Sequence, residues 1–315
     1  MSGLRRLRLI VAVCATASAL VACGGGGGSG SPATASAAPL PVEQGAPALT
    51  NDIATDGRNW INYRRTQVGM PTLTRNAIID VAALGHSEYQ RTNNTVTHVQ
   101  TPGKQGFTGA TLLDRLTAAG YTFANANHAY GEVISATSST NGAYLAEELI
   151  TAIYHRFVIF EPVFKEIGTG AATTAAGYSY FTADFTANNG YGPGVPAGSV
   201  VVWPFSGQTQ VTPNFFSDYE SPDPVPNVNE VGYPISVHAN INAVLTVQSF
   251  TVRPKGASAD LNVRLLTRDV DPETPRSAAA IVPLAKLASG TSYDVSFTGT
   301  VDGTPVSRTW TFTTK

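Results

Sequence analysis

Near residue 190 the hydrophobic pattern of this chain changes its period, and that change limits what the chain can fold into. Up to about Tyr154, apolar side chains recur at spacings of three, four and seven, the repeat of one helix face. Ile53, Trp60, Ile61, Arg64 and Val68 mark a first helix, which Asn51 or Thr50 can cap. A second is expected at about 75–91, with Ile79, Ala82, Ala83, His86 and Tyr89 on one stripe. Thr108 can cap a third, which carries Leu112, Leu113 and Leu116 and stops near Gly120. Asn141 can cap a fourth, with Leu145, Leu149, Ala152 and Ile153 facing inward and Tyr144, Glu148 and His155 on an adjacent stripe. Strands are expected at 130–136, 166–172 and 178–187, the last alternating aromatic with small residues. Helices on both faces of a small antiparallel sheet would bury these stripes.

Beyond residue 190 the pattern is that of strands. Gly192-Pro193-Gly194 marks a break, and Pro222, Pro224 and Pro226 punctuate an extended connector that no helix tolerates. Tyr293, Val295 and Phe297 alternate with polar residues, Asp302-Gly303 supplies a tight turn, and Arg308, Trp310 and Phe312 alternate on the return. Runs at 235–238, 245–252 and 261–266 add strands, and the whole reads as a β-sandwich. Each half has its own periodicity, so two separately folding units are expected.

The N-terminus has a different composition. Arg5, Arg6 and Arg8 precede an apolar stretch, 9–22, that is too short to span a bilayer comfortably and reads as an export signal. Residues 24–48 begin with a glycine run and continue rich in Ala, Pro and Thr, the composition of a flexible tether. Cys14 falls inside the signal, which leaves Cys23 as the single cysteine of the remaining chain and allows no disulfide within it. The formal net charge is only −2, with no basic stripe, which argues against nucleic-acid binding. No Gly-x-Ser-x-Gly elbow is present, no thiol remains in the folded part, and no strand precedes the glycine run. Serine catalysis, cysteine catalysis and nucleotide binding therefore lack support.

Several polar residues recur where helix gives way to strand: Thr97-His98, Asp114-Arg115, Gly131-Glu132 and the run from His155-Arg156 to Gly168-Thr169-Gly170. Their order and spacing resemble the bacterial branch of the CAP superfamily, that of cysteine-rich secretory proteins, antigen 5 and pathogenesis-related 1 proteins. The resemblance implies an α+β fold, a CAP-type α-β-α sandwich over 49–190, followed here by an all-β Ig-like sandwich over 198–315 with a proline-rich lead-in. Two departures stand out. Val133 replaces the Asn of the family's Gly-Glu-Asn signature, and Ala152 occupies its fourth polar position, for which Glu148 could partly substitute. Leu20-Val21-Ala22-Cys23 resembles a bacterial lipobox, implying a signal peptide over 1–22, acylation of Cys23 and a lipidated tether over 23–48.

Two histidines from separate elements and a nearby carboxylate suit a divalent metal, most plausibly zinc. His98 and His155 are the expected ligands, Glu132 the expected general base, and Glu148 and His128 the expected neighbours of the cleft. His86 reads as a core histidine and His238 as a surface strand residue. The resemblance implies a monomeric envelope lipoprotein, in the outer membrane if the cell is Gram-negative, held to the membrane by its lipid. It would bind an envelope or extracellular ligand or partner through a His/Glu-lined cleft. The alternative is a zinc-dependent, peptidase-like hydrolase using the same cleft.

Overall fold

The computed structural model describes residues 43–315. The signal over 1–22, Cys23 and most of the tether lie outside the described residues. The helical half contains α1 (Ile53–Gln67), α2 (Ala77–Asn93), α3 (Leu112–Ala118), α4 (Gly142–Thr151) and α5 (Ile153–Ile159). Its strands are β1 (Thr74–Arg75), β2 (Ala129–Thr137), β3 (Glu166–Thr173) and β4 (Ser179–Ala187), in the sheet order β1-β3-β4-β2.

Local chemistry sets these boundaries. Asp52, Asn76 and Asn141 cap α1, α2 and α4 by accepting a backbone N–H of the first turn, an interaction worth about 1 kcal/mol each. Thr111, not Thr108, caps α3, in a reciprocal capping box with Asp114; the Thr108 side chain turns inward to Gln100 instead. The expected fourth helix is two helices. Ala152 takes an extended conformation (φ −70°, ψ 121°) between α4 and α5, which moves His155 off the stripe of Tyr144 and Glu148.

The sheet has helices on both faces. A Cβ on Gly168 or Gly170 would fall on the backbone of α2, so these two glycines let that helix lie directly on β3. On the opposite face, Gly57 of α1 packs on Phe181, and Gly131 of β2 faces Val158 of α5. This is an α-β-α sandwich with α2 and α3 on one side and α1, α4 and α5 on the other.

The second half is all-β. Its strands are β5 (Val201–Trp203), β6 (Asn214–Phe216), β7 (Glu230–Gly232), β8 (Ile235–His238), β9 (Leu245–Pro254), β10 (Val263–Leu266), β11 (Ala278–Pro283), β12 (Ser292–Val301) and β13 (Thr304–Thr313). They form sheets β10-β11-β8-β5 and β13-β12-β9, with β6-β7 as a separate pair. Asp302 and Gly303 take φ +50° and +79°, as a two-residue hairpin turn between β12 and β13 requires.

Strand β11 has no solvent face. Ala279 and Ile281 join the core shared with Phe250, Val295 and Phe297 of the three-stranded sheet, while Ala278, Ala280 and Val282 pack with Ile153, Tyr154 and Phe157 of α5. The apolar core is therefore continuous from Trp60 in α1 to Phe312 in β13. Its polar pin is Arg156, fully buried, which donates to the carbonyls of Ile150, Thr151 and Pro234 and to Ser236 Oγ, and lies 4.9 Å over the Tyr233 ring. His238, expected at the surface, is 2 % exposed between the rings of Phe157 and Phe160, because α5 covers β8.

Candidate functional site

The polar face of the helical half's sheet lies under α2. Glu132 on β2 stands directly opposite Asp184 on β4. Because side chains alternate along a strand, Glu132 projects away from the face that Gly131 turns to α5 and toward His86 of α2.

The loop after α2 brings His98 to this carboxylate. Asn94 ends α2 in the left-handed conformation, and the chain then folds back over the helix. Thr97 N–H donates to Gln90 Oε1, and Thr101 N–H donates to the Tyr89 hydroxyl. His86 closes the loop from beneath: its Nε2–H donates to the Thr97 carbonyl at 2.7 Å, and its Nδ1 accepts from Gln100 at 3.0 Å. That arrangement assigns the neutral tautomer. Burial holds the ring's pKa down at about 4 despite the nearby Glu132 charge.

Arg115 completes the cluster. The capping box of α3 orients it, and it donates through Nη1 to the His98 carbonyl at 3.0 Å and through Nη2 to Glu132 Oε2 at 2.5 Å. His98 Nδ1–H donates to Glu132 Oε1 at 2.8 Å. Both carboxylate oxygens are thus engaged. Burial pushes the Glu132 carboxyl up, but Arg115 outweighs it, with help from His86 and His98, and the group is held well below the usual carboxylate range. Asp184 goes the other way: burial first, then the charge of the facing Glu132, push its carboxyl well up. The two facing acids divide into one ionised and one neutral group.

His98 is the way in from solvent. Its side chain is 29 % exposed, against 4 % for Glu132 and none for His86 and Arg115. With Nδ1 bonded to Glu132, its Nε2 makes no hydrogen bond among the described residues.

The other expected site residues are elsewhere. His155 rides on α5, which covers the opposite face of β2, and its Nδ1 closes on Glu220 at 2.9 Å. His98 and His155 are therefore not one ligand pair, because the sheet and the break at Ala152 direct them to different carboxylates. Glu148 is exposed on α4 and accepts from the Tyr144 hydroxyl at 2.5 Å. His128 stacks on Phe123 at 4.2 Å between ring centroids and bonds the Asn125 carbonyl. Neither residue bonds Glu132.

The donor set does not fit zinc or another divalent metal. Glu132 has a guanidinium on one oxygen and an imidazole N–H on the other, and His86 has both ring nitrogens occupied. Among the described residues no group of three or more His, Cys, Asp or Glu is arranged to hold a metal ion.

Residues 59–185, which span this cluster and reach into all four strands of its sheet, match the family model for the cysteine-rich secretory protein family, CAP. This stretch is a CAP domain. Among solved structures, it resembles an extracellular protein containing an SCP domain from Bacillus anthracis, with 24 % identity, a TM-score of 0.36 and 43 % of this chain covered. The chain spans 40 % of that protein's length. An outer surface protein from Borrelia burgdorferi is similar at 14 % identity and a TM-score of 0.34, over 42 % of this chain and 90 % of the other. A search of curated proteins found no match.

Two residues of the CAP domain's polar cluster, and one outside it, carried little signal in the sequence. Asp184 sits in a Phe-Thr-Ala strand, where a lone acid looks solvent-facing. His86 reads as core and is, yet it also shapes the loop that carries His98. Glu220, which holds His155, lies in the proline-rich connector 65 residues away.

Proposed function

We propose that this chain is an exported, lipid-anchored envelope protein whose CAP domain binds a ligand or partner at the His98–Glu132 corner. The Arg-rich start, the apolar segment and the Leu20-Val21-Ala22-Cys23 sequence support export and acylation at Cys23. More than one acyl chain would give a stable anchor. The all-β half then serves as an Ig-like spacer fixed to the CAP domain.

One observation carries the choice of binding over hydrolysis: Arg115 Nη2 lies 2.5 Å from Glu132 Oε2 while His98 Nδ1 occupies the other oxygen. A general base needs a proton affinity near the working pH and a free lone pair aimed at its water. Glu132 lacks the proton affinity, since Arg115 and His98 already stabilise its charge, and each of its oxygens is already held by a donor of the cluster. The exposed Nε2 of His98 suits recognition, taking a hydrogen bond from a ligand hydroxyl or amide.

Sedimentation with isolated cell envelopes tests this, using Cys23→Ser protein so that acylation does not dominate. Protein with the native site should pellet with envelopes, and His98→Ala should weaken that association by about tenfold, the loss of one good hydrogen bond. Hydrolysis of envelope material that disappears in Glu132→Gln would overturn the reading in favour of an enzyme.

A further inference from the structure

The opposite edge of the same sheet carries a second site. β1 lies beside β3, but β1 is only two residues long and pairs with Glu166 and Ile167 alone. Among the described residues, no strand neighbours β3 on that side from Gly168 to Thr173. The N-terminal turns of α1 and α2 flank this lane and border an open cleft of about 580 Å³. Thr169 N–H points into the lane, where Asp80 Oδ1 accepts it at 2.8 Å. By the two-residue repeat of a strand, Ala171 and Thr173 turn their backbone groups the same way. Val81 and Leu84 of α2 line the lane and are 59 % and 45 % exposed. An open strand edge beside uncovered apolar side chains is a template for an added strand.

The lane is closed at one end. β1 fills it at Thr74 and Arg75, so a chain laid along β3 cannot continue past that point. Two guanidinium groups wait there. Arg75 is paired through Nε with Asp80 at 2.6 Å, and the nearby Asp52 is engaged in capping α1 at Thr55 N–H. Arg58 makes one 3.3 Å contact, to Thr169 Oγ1, and no ion pair among the described residues. Burial, then the adjacent Arg75, work against its charge; Asp80 and Asp52 favour it, but neither forms an ion pair with it, so the guanidinium can still take an anion of its own. An extended chain that must stop at a cation arrives with its C-terminal carboxylate.

We propose that this lane binds the C-terminal end of an extended peptide, which adds as a strand to β3 through Ala171 and Thr173 and sets its terminal carboxylate on Arg58. The site lies across the sheet from the His98–Glu132 corner and does not depend on the reading of that corner.

Fluorescence anisotropy of the full chain with a labelled pentapeptide, Thr-Val-Thr-Val-Val, tests the proposal. The free-acid form should bind, and C-terminal amidation or Arg58→Met should each weaken binding by at least about tenfold, as expected for a charge-assisted pair. Ala171→Pro removes an edge N–H and keeps the pairing with β4, so it should also weaken the peptide while leaving the thermal transition in place. Failure of the acid peptide to bind at millimolar concentration, or equal binding of acid and amide, overturns the proposal. Saturable binding of laurate with Arg58 dependence, when neither peptide binds, would assign the lane to an acyl carboxylate and overturn it as well.

Discussion

Glu220 of the all-β half caps α5 of the CAP domain and fixes His155 with the same oxygen. Its Oε1 accepts from Tyr154 N–H at 2.6 Å, His155 N–H at 3.0 Å and His155 Nδ1 at 2.9 Å. Ala152, at the N-cap position of α5, offers no side-chain acceptor of its own. The second half thus supplies a cap that the helix lacks. Glu220→Ala should therefore destabilise the protein by about 2–4 kcal/mol, because two buried N–H groups lose their acceptor. His155→Ala removes one side-chain bond and should cost about 1 kcal/mol. Urea unfolding of the two variants checks the ranking; equal, small losses would show that the cap is dispensable.

The continuous core predicts that the two halves unfold together, although each has its own sequence period. Calorimetry should show one transition for the CAP domain and the all-β half. Arg156→Met should lower that transition as a whole and cost about 3 kcal/mol or more, since it orphans carbonyls on both sides of the junction. Two resolved transitions, with Arg156→Met moving only one, would contradict this.

Acid should weaken the fold through its buried histidines. Burial lowers the His86 pKa to about 4 and the His238 pKa to about 3, both from 6.5. The unfolded chain binds protons at these sites before the folded chain does, so their stabilisation is fully present above about pH 6.5. It is lost as pH falls toward the folded values, and each site contributes on the order of 3 kcal/mol. Between pH 7 and pH 4 the denaturant midpoint should fall less, or rise more, in His238→Phe than in the unsubstituted chain, because the buried acids Asp184 and Glu161, whose carboxyls are raised, contribute with the opposite sign in both. Parallel profiles for the two proteins would mean that the His238 ring is not held neutral.

Sequence periodicity located the helices well where one face meets one neighbour, as with α1, α2 and the start of α4 at Asn141. It failed where burial comes from a distant segment. Ala152 carries no helix-breaking signal, because the break depends on Glu220, which is 66 residues away at its contact with Tyr154. β11 reads Ala-Ala-Ala-Ile-Val-Pro without alternation because both of its faces are covered, one by α5 and one by the three-stranded sheet. His238 looked exposed for the same reason. In the site, the family motifs pointed to His98, Arg115 and Glu132, which do converge. The expected pairing of His98 with His155 failed because linear spacing does not reveal which face of a strand a helix will cover.

The state of Glu132 decides between a recognition corner and a catalytic one. A ¹³C NMR titration of its side-chain carboxyl measures that state directly. With Arg115, His86 and His98 around it, the resonance should stay that of a carboxylate from pH 8 down to about pH 3, and Arg115→Met should move its titration upward by one or more units. A midpoint near neutrality in the unmodified protein would contradict the account, because Glu132 would then be poised as a general base.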